Sequence, residues 1–180
     1  LHIFENARLV GSQERAELEV LGHRHAREDS SSLRTLGYAT LRFNFRGVGA
    51  SEGGYDEGNG ETLDAIAAAN YLRSEFPNLP LLLAGFSFGG YVQARAAAEL
   101  NPQQLILIAP AVGRFAMPQV PANTLLVHGD LDEVVSLNDL LYWAQPQHLA
   151  VVILAGASHF FHGRLVQLKQ VVMQHLAAKS

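Results

Sequence analysis

Apolar residues fall into short, dense runs separated by polar and glycine-rich stretches, and the period within each run separates strands from helices. Leu79 to Phe86, Gln104 to Ala109, Thr124 to His128 and Ala150 to Leu154 are near-continuous apolar segments, the pattern of strands covered on both faces. Tyr38 to Phe45 reads as a further strand. Thr62 to Phe76, Tyr91 to Leu100, Leu137 to Ala144 and Leu165 to Ala178 carry helical periods. Strands alternating with helices predict an α/β fold, a mostly parallel sheet with helices on both faces.

The N-terminal part is less regular. Ala7 to Val10 and Ala16 to Leu21 read as two short strands around Gly11-Ser12-Gln13-Glu14, the second alternating as Ala16, Leu18, Val20 against Glu17, Glu19. A four-residue turn between two strands predicts a hairpin at a sheet edge. Gly22 to Asp29 and the serines after it form a polar loop, and Ser32 to Gly37 has the shape of a helix end with Gly37 at the C-terminal cap. A crossover between parallel strands takes about a dozen residues or more, and Gly22 to Gly37 barely supplies them. The expectation is one domain over 1–180 in which 22–32 is atypical or truncated.

The chemistry of the chain centres on the end of the Leu79 to Phe86 run. There Gly85-Phe86-Ser87-Phe88-Gly89 joins strand to helix. A serine at such a turn is held in a strained conformation, and the turn closes only when its neighbours two positions before and after lack bulk. Ser87 then stands over the first turn of a helix, whose free N–H groups can stabilise an oxyanion. The competing reading is a glycine-rich loop with a serine N-cap. A second glycine-rich stretch, Arg46 to Gly54, superficially fits a dinucleotide loop. That motif needs a helix to begin at its glycines, whereas the next helical period starts only at Thr62. A structural loop tied down by Arg46 is the better reading.

Composition narrows the field. The chain has 180 residues, 48% hydrophobic and 17% charged, with a formal net charge of −4, which suits a globular protein with a substantial core. It has no block of Lys and Arg, so nucleic acid and anionic membrane are not its expected partners. A small molecule is. With no cysteine, disulfides, thiolate metal sites and a cysteine nucleophile drop out. No apolar run is long enough to span a bilayer, so a soluble, cytoplasmic protein is expected, although a start at Leu1 leaves room for residues ahead of it.

A serine hydroxyl needs a base and a group that orients the base, and in a parallel sheet both belong just beyond the carboxyl ends of other strands. After Thr124 to Val127 comes His128-Gly129-Asp130-Leu131-Asp132-Glu133-Val134-Val135, with three acids. After Val151 to Leu154 comes Ala155-Gly156-Ala157-Ser158-His159-Phe160-Phe161-His162-Gly163, with two histidines. Asp130 reads as a turn former, and Asp132 could serve only as a helix N-terminal charge. His159 could be a core or capping histidine, a reading that suits His162 better still. His2, His148 and His175 read as surface or fill. His23-x-His25 beside Glu28 and Asp29 is a weak candidate for a metal, and no metal site is assigned.

The order serine, acid, histidine, each at a strand end, resembles that of the α/β-hydrolases. His128-Gly129-x-x-Asp132-x-x-Val135 resembles the acid loop of that family and Gly156-x-x-His159 its histidine loop. With Arg42-Phe43-Asn44-Phe45-Arg46-Gly47-Val48-Gly49-x-Ser51-Glu52-Gly53, the chain is similar over 32–178 to a small, cap-less bacterial branch of predicted serine hydrolases, dienelactone-hydrolase-like and esterase-like. The resemblance implies an α/β-hydrolase fold without a cap, a triad of Ser87, Asp132 and His159, and an oxyanion donor in the Phe88 backbone N–H. It implies a carboxylesterase-like enzyme that cleaves small esters or other acyl compounds through an acyl-enzyme, with no cofactor. The family's second oxyanion donor comes from a loop carrying a His-Pro pair, where this chain has Gly22-His23-Arg24-His25-Ala26-Arg27. That donor is unassigned. The departure motivates an alternative, a non-catalytic member that binds a ligand or partner. A nucleotide-binding α/β protein is a further rival, marked by nucleotide-dependent thermal stabilisation. Natural substrate and oligomeric state are not encoded in any motif.

Overall fold

The computed structural model describes residues 38–178 in full and 8–10 and 15–20 as backbone. The strands are β1 (Arg8–Val10), β2 (Arg15–Val20), β3 (Tyr38–Phe43), β4 (Leu81–Phe86), β5 (Gln104–Ile108), β6 (Leu125–Gly129) and β7 (Val151–Leu154). The helices are α1 (Asn59–Glu75), α2 (Phe88–Leu100), α3 (Leu137–Ala144) and α4 (Leu165–Ala177). They form one sheet in the order β1-β3-β2-β4-β5-β6-β7. From β3 to β7 every pairing is parallel; only β1 runs antiparallel, against β3.

The expected hairpin is not formed. β2 lies inside the sheet, parallel to β3 on one side, with Ala16 opposite Ala39, and to β4 on the other, with Ala16 opposite Leu81. β3 takes the place between β1 and β2, which gives β2 two hydrogen-bonded neighbours where an edge hairpin would give it one. The turn 11–14, the polar stretch 22–29 and the helix end 32–37 lie outside the described residues.

Continuous apolar strands divide their side chains between two cores, as period two requires. Leu81 and Leu83 of β4, Leu105 and Leu107 of β5 and Leu126 of β6 pack with α1 and α2 through Ala65, Ala68, Leu72, Val92 and Ala96. Leu82, Ala84, Ile106, Leu125 and Val127 pack on the other face with Leu168 and Leu176 of α4. Alanines let α1 and α2 approach the sheet closely.

The helix α1 begins three residues before the apolar period does, because polar groups hold its first turn. The Glu61 carboxylate accepts from the N–H groups of Asp56 and Gly58, both at 2.9 Å, and Asp56 Oδ2 accepts from Gly60 N–H at 2.9 Å. The loop ahead of it is tied down by Arg46, as expected. Its backbone N–H, Nε and Nη2 all donate to the buried Asp64 carboxylate, at 3.0, 3.1 and 2.8 Å. Between β5 and β6, residues 109–124 contain no helix, so no cap covers the strand ends there. Among the described residues no helix is long and apolar enough to cross a membrane.

Candidate active site

β4 ends at the glycine-flanked serine. Ser87 has φ 52° and ψ −117°, a left-handed φ that a residue with a Cβ keeps only when its surroundings hold it there. Its N–H donates to Ile108 O at 2.9 Å, and its carbonyl accepts from Tyr91 and Ala111 N–H, both at 3.2 Å. The N–H of Phe88 opens α2 and has no intrahelical acceptor.

Two strands away, Asp132 projects from the turn after β6. Its Oδ1 accepts from Val134 and Val135 N–H at 2.8 and 2.7 Å, and its Oδ2 from His159 Nδ1–H at 2.8 Å. Burial opposes the charge of Asp132, yet the His159 and backbone hydrogen bonds outweigh it, and the carboxyl is held below its ordinary range. A carboxylate accepts only, so the proton between the two sits on Nδ1 of His159. Nε2 is then left bare, 3.0 Å from Ser87 Oγ, and accepts from the hydroxyl. The imidazole is 2% exposed, wedged between the rings of Phe86 at 4.9 Å and Phe160 at 5.0 Å.

Ser87, Asp132 and His159 thus converge, as their strand-end positions suggest, while their neighbours have roles that a reading of the sequence misses. Asp130 is more than a turn former: its Oδ1 accepts from Gly156 N–H at 2.5 Å. Glu133 Oε2 accepts from His159 N–H at 3.1 Å, and Leu131 N–H donates to Ala157 O at 3.0 Å. The acid and histidine loops are laced together, close enough that a Cβ on Gly129 would lie 2.2 Å from Ala157 O. Three acids in four positions after a strand was the available signal. Beneath them the fully buried His128 donates Nε2–H to Val135 O at 3.0 Å, and among the described residues its Nδ1 has no partner. Burial pushes this ring below the ordinary histidine range, against the Val135 carbonyl and the Asp132 charge, which favour its protonation.

The other histidines stand apart. His162 is exposed rather than in the core, and its ring lies 5.8 Å from that of Phe160. His175 bonds Gln104 Oε1 at 3.1 Å, and His148 is exposed. His2, His23 and His25 lie outside the described residues, as does the loop after β2 where a second oxyanion donor would sit. Among the described residues no group of three or more His, Asp and Glu is gathered to hold a metal ion.

A family described as serine aminopeptidase S33 matches residues 26–120, just over half of the chain and a span that includes the elbow. The chain belongs to this family. The S33 match ends before Asp132 and His159 and does not itself bear on them. An uncharacterized protein of Rickettsia prowazekii is 31% identical over 164 residues, covering 78% of this chain and 65% of its own length. A lid-less α/β serine hydrolase from Xanthomonas campestris is 32% identical, with a TM-score of 0.84 over 96% of this chain and 94% of that one. An α/β serine hydrolase homologue from Coxiella burnetii is 33% identical, with a TM-score of 0.82 over 94% and 90%. The S33 chain described here accordingly has the α/β-hydrolase fold without a cap.

Proposed function

We propose that this protein is a single-domain serine hydrolase that cleaves small esters or other accessible acyl compounds through an acyl-enzyme on Ser87. One observation carries the reading: the unbroken chain from Ser87 Oγ to His159 Nε2 at 3.0 Å and from His159 Nδ1 to Asp132 Oδ2 at 2.8 Å. As Ser87 Oγ bonds to the acyl carbon, its proton moves to Nε2, and the imidazolium that forms is stabilised by the Asp132 carboxylate. Collapse of the tetrahedral adduct breaks the bond to the leaving group, which departs with the Nε2 proton. Water then enters by the same steps in reverse roles, releasing the acid and restoring Ser87. The oxyanion faces the Phe88 N–H at the positive end of α2.

The short 109–124 connection leaves the approach open, which favours small, carboxylesterase-type substrates over long lipids. A net charge of −4 argues against nucleic acid as a substrate, and we place the protein in the cytoplasm. A fluorescent fluorophosphonate tests the chemistry. Label on Ser87 that disappears in Ser87→Ala and in His159→Ala supports an activated serine. No label on well-folded protein overturns the reading in favour of a fold that binds without catalysis.

A further inference from the structure

Beside the elbow lies a cavity of about 570 Å³. Its walls are Tyr55 and Glu57 from the loop before α1, Tyr91 from α2, and Arg114 and Phe115 from the connection between β5 and β6. Two structural links join it to Ser87. The ring of the next residue, Phe88, meets those of Tyr55 at 5.6 Å and Phe115 at 5.4 Å. The connection that carries Arg114 is bonded to the serine itself, Ala111 N–H donating to Ser87 O at 3.2 Å.

The wall carries one positive side chain, Arg114, and one negative, Glu57. Tyr91 and Phe115 stack at 4.6 Å with 14° between their planes, and a guanidinium covers each ring: Arg95 lies 5.5 Å from the Tyr91 centroid and Arg114 5.9 Å from that of Phe115. Arg95 is already engaged, donating to Asn59 Oδ1 at 3.0 Å and Tyr91 Oη at 3.1 Å. Arg114 is exposed and has no hydrogen bond or ion pair among the described residues. A planar fork held over an aromatic face is suited to a carboxylate. Glu57 opposes a second negative charge, and Tyr55, 63% exposed, offers a face on which a flat group can lie.

We propose that this cavity is a carboxylate-recognising lobe of the substrate site, in which Arg114 holds the anionic end of a planar, aromatic acyl compound whose carbonyl is presented to Ser87. The substrate role rests on the acyl-transfer reading above; the anion site rests on Arg114. Monomethyl terephthalate and its neutral carboxamide isostere, methyl 4-carbamoylbenzoate, separate the two. The native enzyme prefers the anionic ester in kcat/KM, and Arg114→Ala lowers its value by about ten- to a hundredfold, the worth of a hydrogen bond to a charged group. The neutral ester changes by less than about twofold, and Arg114→Lys recovers part of the preference.

Equal preference in native enzyme and Arg114→Ala overturns the lobe. Calorimetric titration of Ser87→Ala with monomethyl terephthalate reads the lobe without turnover. Binding that vanishes in Ser87→Ala/Arg114→Ala supports it, and binding that persists there, or no binding to Ser87→Ala, refutes it. Absence of fluorophosphonate label on Ser87 sinks the acyl-transfer reading and leaves the titration to decide the anion site.

Discussion

Replacing Gly85 by alanine puts the elbow to a quantitative test. A Cβ on Gly85 would lie 2.4 Å from Gly89 O, 2.6 Å from Gly89 C and 2.7 Å from Gly90 N. All three are backbone atoms, so no rotamer change relieves the clash. Ordinary contact begins at 3.4 Å, and the first turn of α2 must therefore retreat by about 1 Å, the difference between 3.4 and 2.4 Å. Gly90 is itself packed against Pro110, whose Cα is 3.2 Å from where a Gly90 Cβ would be, which leaves the turn little room to move. Overpacking of this kind costs about 1–3 kcal/mol of stability, and a misplacement of about 1 Å costs about a hundredfold in reactivity. Urea melts read the first, and the rate of fluorophosphonate labelling of Ser87 the second. Gly54→Ala is the control: no atom lies within 4 Å of its Cβ, and its stability stays within about 0.5 kcal/mol. If Gly85→Ala melts and labels like the native protein, close packing at the turn is not what positions the serine.

Three further outcomes are expected. Asp132→Asn cannot hold the proton on Nδ1 in the same way, so kcat falls by about 10⁴ while circular dichroism shows an intact fold. Asp130→Ala frees Gly156 N–H and costs about 1 kcal/mol in a urea melt, with slower labelling because the histidine loop loses a tether. Acid titration separates His128 from Asp132. The unfolded chain protonates His128 near 6.5 while burial resists it in the native ring, so stability is level above that pH and falls by up to about 1.4 kcal/mol per unit below it, until the native ring protonates. Asp132, held below its ordinary 3.8, contributes stability that is present above that value and is lost only as pH falls toward its native one. The loss that sets in below pH 6.5 is therefore reduced in His128→Gln, which keeps an N–H for Val135 O.

The strands were legible because near-continuous apolar runs of this length have few alternatives, and β4 to β7 fall within two residues of the runs that predict them, although β7, at the sheet margin, is only partly buried rather than covered on both faces. Helix starts were less visible. Those of α1 and α2 are set by Glu61 and by the Ser87 turn, polar or backbone devices that leave no mark on the hydrophobic period. The place of β2 was misread because a short turn between strands carries no information about a third strand inserted between them. At the site, strand-end position singled out Ser87, the acid loop and the histidine loop. The tethers from Asp130 and Glu133, the support of His128 beneath Asp132 and the cavity at Arg114 depend on contacts between segments remote in sequence, which no local pattern reports.

The lacing of the acid loop to the histidine loop divides the site mechanically. Asp132 and His159 ride β6 and β7 at one margin of the sheet, and Ser87 rides β4, with β5 between them. Bonds from Asp130, Leu131 and Glu133 make the imidazole and its carboxylate one travelling body. When that margin breathes, the distance that opens and closes is the one between Oγ and Nε2. On warming, these inter-loop bonds are expected to keep the ring with its acid after the contact between Oγ and Nε2 has lengthened.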